Sequence, residues 1–290
     1  MIRSLRLRSI AAVAAAAALA APCFAQTSER FSVEVTGEGP DVILVPGLAS
    51  SSAVWDETVA QLSSTHRVHA VQVAGFAGAP AGPNADGPIL APLTEEIAGY
   101  AATLDAPAIV GHSLGGLIAL EVTAAHPEAV DRVMVVDALP FYPLIFNPAA
   151  TVEMVEPQAA MMRDQILAQS PEQFEMSQTM STRNLVKSDA RRADVLGWSL
   201  QSDRAVTARA MYEDMTTDAR PHLGDIVAPV TVVYAWDQAM GVPATLADQL
   251  YASAYADLAG VELTRMDGSY HFIMLDQPDA FAEAVAEFVD

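Results

Sequence analysis

The residues best suited to chemistry lie in Gly111-His-Ser-Leu-Gly115, a Gly-x-Ser-x-Gly pattern between the apolar run Ala108-Ile-Val110 and an apolar stretch from Leu114 to Ala125. A serine on a sharp strand-to-helix turn has a strained backbone, which is tolerable only when nearby positions are almost without side chains. Gly111 and Gly115 provide that clearance. The turn would lift the Ser113 hydroxyl above the carboxyl edge of a sheet and aim the Leu114 N–H at a developing oxyanion. Such a hydroxyl becomes a nucleophile beside a base, and the base needs an orienting acid.

Six histidines could supply the base. His66 and His69 flank a predicted strand start, His112 adjoins the serine and must point elsewhere, and His126 precedes Pro127 at a helix end. His222 lies in the exit from a helical segment. His271, within Asp267-Gly-Ser-Tyr-His271, falls in a loop just after a predicted strand and is the expected base. Two acids stand directly after strands: Asp237 ends Val233-Tyr-Ala-Trp-Asp237 and Asp137 ends Val133-Met-Val-Val-Asp137. Ligands of open α/β sheets bind outside the carboxyl ends of the strands, so both acids would stand on that edge. Asp237 is assigned the orienting role. Asp137 is the reserve, with a structural part where the helical segment begins.

The elements that must position these residues alternate. Phe31–Val35 alternates like a strand. Asp41–Val45 is a short apolar run of the kind buried on both faces, and Ser52 caps a helical stretch carrying Trp55, Val59 and Leu62. Further strands are expected at Arg67–Val73, Ala108–Val110, Val133–Val136, Val230–Tyr234 and Val261–Met266. Helices are expected from Thr94 to Leu104, Leu114 to Ala125, Pro243 onward, and Pro278 to Val289. This order predicts an α/β fold, a mostly parallel doubly wound sheet of about seven strands. From Leu139 to Asp225 no strand is expected. Helices punctuated by Pro143, Pro148, Pro157 and Pro171 would form a cap within the same domain, with Met-bearing stretches as core and as the lining of an apolar pocket.

With these residues in place, the chain resembles the α/β-hydrolase fold family. The order Ser113, Asp237, His271, each after a strand, matches that family, and Leu44-Val-Pro-Gly-Leu48 resembles its oxyanion loop. Asp218 to Pro229 resembles the return from cap to sheet. The resemblance spans residues 31–290 and implies that the Leu48 N–H joins that of Leu114 in an oxyanion hole. The sequence departs from the pattern in carrying Pro46-Gly47 where His-Gly is common, and in leaving no room for the family's first strand after processing.

Composition narrows the function. Apolar residues make up 52% of the 290, enough for a large core, and the formal charge is −21. Nucleic-acid binding needs clustered cations and is disfavoured. Arg3, Arg6 and Arg8, the apolar stretch Ile10–Ala21 and Cys23-Phe-Ala25 have the order of a secretory signal cleaved after Ala25. That apolar stretch is too short to span a bilayer as a helix. Cleavage would remove the only cysteine, whose context, with Pro22 just before it, suits lipidation poorly. The expectation is an exported, periplasmic or secreted serine hydrolase that cleaves carboxylic esters of small apolar substrates without metal or cofactor. A lactonase, amidase or C–C hydrolase would use the same groups. A non-catalytic small-molecule carrier on the same scaffold is the alternative from another class.

Overall fold

The computed structural model describes residues 23–25 and 28–290; the rest of the expected export signal lies outside the described residues. Its strands are β1 (Cys23–Ala25), β2 (Phe31–Thr36), β3 (Asp41–Val45), β4 (Arg67–Val73), β5 (Ala108–His112), β6 (Arg132–Val136), β7 (Val230–Trp236) and β8 (Glu262–Asp267). They form one sheet in the order β1-β2-β4-β3-β5-β6-β7-β8. From β4 to β8 every pair is parallel, while β1 and β2 run antiparallel at one edge. The seven expected strands are all present. The three-residue β1 is additional, and it occupies the expected cleavage region, pairing Cys23–Ala25 with Val33–Val35.

The helices are α1 (Asp56–Leu62), α2 (Leu90–Ala101), α3 (Leu114–Ala125), α4 (Val152–Ala168), α5 (Pro171–Leu185), α6 (Asp189–Gln201), α7 (Arg204–Thr216), α8 (Ala244–Ala254), α9 (Ile273–Asp276) and α10 (Pro278–Val289). Successive side chains of a strand point to opposite faces, and the central strands are apolar on both. Ile43, Val45, Ile109, Val133, Val135 and Val232 share one core with residues of α2, α3 and α8. Val42, Leu44, Val110, Met134, Val136 and Val233 face the other, with Trp55, Leu62, Phe281 and Val285. Nine of the twelve α3 residues are buried, which explains its nearly uniform apolar sequence.

Between β6 and β7 the described chain holds four α-helices, α4–α7, and no strand. Pro157 does not break α4, which runs on through it at the cost of one backbone hydrogen bond. The cap's methionines depart from expectation. Met154, Met161, Met176 and Met180 are exposed and Met215 is packed in the core, leaving Met162 and Met211 half-buried. A wide methionine lining of the site is therefore not what the helices present inward.

Candidate active site

Ser113 sits between β5 and α3 with φ 53° and ψ −122°, a left-handed conformation unusual for a residue with a side chain. The close approaches around it show why glycine flanks it. A Cβ on Gly111 would lie 2.1 Å from the Gly115 carbonyl oxygen, and one on Gly115 would lie 2.3 Å from that of Val45. The strain is held by the sheet, since the Ser113 N–H donates to the Val136 carbonyl at 2.9 Å.

That bond places Ser113 beside the end of β6, where Asp137 follows. Asp137 also has positive φ, 46°, and its N–H donates to the Val233 carbonyl at 2.7 Å. Its carboxylate is fully engaged. Oδ1 accepts from the Ala235 N–H at 2.8 Å and the Tyr251 hydroxyl at 3.0 Å, and Oδ2 accepts from His271 Nδ1–H at 2.7 Å. The acid that orients His271 is thus Asp137, and the assignment of Asp237 is corrected. Asp237 caps the turn Gln238–Met240 through the Ala239 N–H and accepts from Lys187 Nζ at 2.6 Å. The Lys187 hydrogen bond, with that of Ala239, holds its carboxyl below the usual range. The reason lies in strand length. Val136 is level with Val233 in the β6–β7 register, so Asp137 stands opposite Tyr234, while β7 continues to Trp236. Asp237 is three residues further out, roughly 10 Å beyond at 3.3 Å per residue.

His112 does point elsewhere. It is fully buried, and its Nε2 donates at 3.0 Å to the backbone carbonyl of His271, tying the strand that leads to Ser113 to the loop that carries His271. Burial, aided by the nearby His271, pushes its pKa well below the ordinary imidazole value, so the ring is neutral. This positioning contact was not foreseen. The adjacency of His112 to Ser113 was the available signal. The other histidines serve elsewhere: His66 contacts Thr65, His126 faces Glu95, and His222 faces Glu121. His69 links Tyr100 to Asp41, which also pairs with Arg67, at the amino end of the sheet.

The loop Pro46-Gly47-Leu48 follows β3 and lies against the serine. A Cβ on Gly47 would be 2.9 Å from His112 Nδ1 and 3.1 Å from Ser113 Cβ. Among the described residues the N–H groups of Leu48 and Leu114 donate to no protein acceptor. A surface cleft of about 700 Å³ lined by Phe31, Gln72, Ala74 and Pro80 lies elsewhere, touching neither Ser113, Asp137 nor His271.

Residues 42–284 match the profile of the alpha/beta hydrolase family. The chain belongs to that family. Among curated alpha/beta hydrolase relatives, the pimeloyl-[acyl-carrier protein] methyl ester esterase of Aeromonas hydrophila is 36% identical over 111 residues, 38% of this chain and 42% of that protein. The match there spans less than half the relative. The esterase of the same name from Vibrio cholerae is 28% identical over 265 residues, 88% of this chain and 96% of that one. The solved esterase from Exiguobacterium antarcticum superposes with TM-score 0.72 at 18% identity, covering 93% of this chain and 99% of that one, a likeness of fold.

Proposed function

We propose that the protein is a serine hydrolase that cleaves small carboxylic esters through an acyl-enzyme at Ser113. The observation that carries this is the placement of Ser113 and Asp137 at the ends of adjacent strands, with Asp137 holding His271 by Nδ1. With Nδ1 carrying the proton, Nε2 is the free acceptor for the serine proton. Ser113 Oγ adds to the ester carbonyl carbon as His271 Nε2 takes its proton, and the N–H groups of Leu48 and Leu114 receive the oxyanion. His271 then passes the proton to the departing alcohol. Water, deprotonated by the same nitrogen, releases the acid and restores the serine. Asp137 fixes the tautomer and stabilises the imidazolium.

The cationic start, the apolar stretch and Cys23-Phe-Ala25 support export with cleavage after Ala25, which would shed the edge strand β1 and leave β2 as the edge. Fractionation with amino-terminal sequencing tests this; a mature chain beginning at Gln26 is expected.

For the chemistry, p-nitrophenyl esters graded by acyl length provide the test. A burst equal to the enzyme concentration, absent in Ser113→Ala, is expected. Binding of such esters without release of nitrophenol by the unaltered protein would favour a carrier and contradict the proposal.

A further inference from the structure

The loop that carries His271 is tied to the cap by one carboxylate. Asp276 ends α9, and its Oδ2 accepts at 2.9 Å from the N–H of Tyr270, the residue before the proposed base. The same carboxylate reaches the junction of the cap helices α5 and α6. Both oxygens accept from the Lys187 N–H at 3.0 Å, and Oδ1 accepts from the Ser188 N–H at 2.9 Å. The residue after the base adds a further bond, since the Phe272 N–H donates at 3.1 Å to the carbonyl of Leu185, the last residue of α5.

The rest of the junction backbone is also paired. The Val186 N–H donates to the Thr182 carbonyl, the Val186 carbonyl accepts from Arg192 Nε at 2.7 Å, and the Lys187 carbonyl accepts from Arg192 Nη2 at 3.0 Å. Val186 is buried in one core with Phe272 and Ile273. A lighter tie runs beside these bonds: Lys187 Nζ donates to Asp237 Oδ2 at 2.6 Å and to the Gly268 carbonyl at 3.0 Å, where the loop begins. Its ammonium is half exposed, so that ion pair contributes little by itself.

These bonds bear on the base. The backbone is held at three successive residues: by Asp276 at Tyr270, by His112 at the His271 carbonyl, and by Leu185 at Phe272. Two of the three holds come from the cap junction or from the acid that binds it. The imidazole must meet Asp137 and Ser113 together, and a misplacement of about 1 Å can lower a rate on the order of 10²-fold. We propose that Asp276 is a positioning residue for His271, joining the α5–α6 junction to the loop 268–272 so that the cap sets where the imidazole stands. This rests on the hydrolase reading above, and Asp276 acts through the loop backbone. Three N–H donors converge on it, whereas an amide of the same shape offers one accepting oxygen and turns its NH2 towards the remaining donors.

Hydrolysis of p-nitrophenyl butyrate by Asp276→Asn tests it. Competent sites are counted by complete fluorophosphonate modification of Ser113, so that lost protein is not read as lost rate. In that variant kcat per site should fall roughly 10–100-fold, with KM changed less than about threefold. Asp279→Asn, at an exposed position three residues on, should keep kcat within about twofold. An undiminished kcat per site in Asp276→Asn, or a change confined to KM, would overturn the assignment alone. The unaltered protein gives a second measurement that requires no variant to fold. In amide hydrogen exchange the N–H groups of Lys187, Ser188 and Tyr270 should be slowed at least about 100-fold and to similar degrees, although Lys187 is exposed. Exchange of Lys187 and Ser188 at the rate of a free peptide, with Tyr270 protected, would show junction and loop to be independent and would also overturn it. Neither turnover nor modification of the unaltered protein would overturn the hydrolase reading and this assignment with it.

Discussion

Asp137 Oδ2 accepts the Nδ1–H of His271 at 2.7 Å from the strand next to that of Ser113. The same carboxylate is braced by the Ala235 N–H and the Tyr251 hydroxyl, so it cannot turn without leaving buried donors unpaired. Asp137→Asn should lower kcat by on the order of 10³–10⁴-fold, because an amide favours the wrong imidazole tautomer. Asp237→Asn should change it less than about tenfold, since that carboxylate binds Lys187 instead. Steady-state kinetics on one p-nitrophenyl ester compares the two; the opposite ranking would restore Asp237.

The elbow depends on bare backbone. Gly115→Ala would place a Cβ 2.3 Å from the Val45 carbonyl oxygen and 2.7 Å from that of Pro46, neither of which can swing aside. A loss of roughly 3 kcal/mol or more is expected in chemical denaturation. Gly224→Ala, where the added carbon meets nothing within 4 Å, should cost less than about 1 kcal/mol. Equal losses would show that the close approach is not what the glycine serves.

Cap and sheet are joined at the start of α2. Glu213 takes the place of a local cap there, accepting from Ile89 and Leu90. Glu213→Ala should destabilise the fold by about 1–2 kcal/mol, and Glu213→Gln, which keeps an acceptor, by less. Thermal melts of the two variants check this order.

Stability should also fall in acid before the carboxylates protonate. His112 has its folded pKa depressed far below 6.5 by burial. His69 is lowered too, by burial opposed by Asp41. An unfolded chain binds these protons more readily, so the contribution is full above about pH 6.5 and is lost progressively below it. Urea denaturation at pH 7.5 and 5.5 should give a lower free energy at the acid value. A flat profile would mean that these rings accept protons as easily folded as unfolded.

Much of this was legible. The double-sided apolar runs at Asp41–Val45 and Val133–Val136 announced buried parallel strands, and the Gly-x-Ser-x-Gly turn announced the serine, because both depend on local chemistry. Two features were not local. The start of α2 falls at Leu90, not Thr94, because its cap comes from Glu213 on a distant helix. Asp137 and Asp237 looked equivalent, each directly after a strand. Only the inter-strand register, with β7 overshooting β6, separates them. The outward methionines of α4 and α5 make the same point, since apolar side chains do not by themselves state which face a helix buries.

Activation of Ser113 by His271 is measured directly by fluorophosphonate labelling followed by intact-mass and peptide analysis. A single adduct on Ser113 is predicted in the unaltered protein, with labelling slowed at least 100-fold in folded His271→Ala. Undiminished labelling of that variant, or an adduct on any other residue, would contradict it.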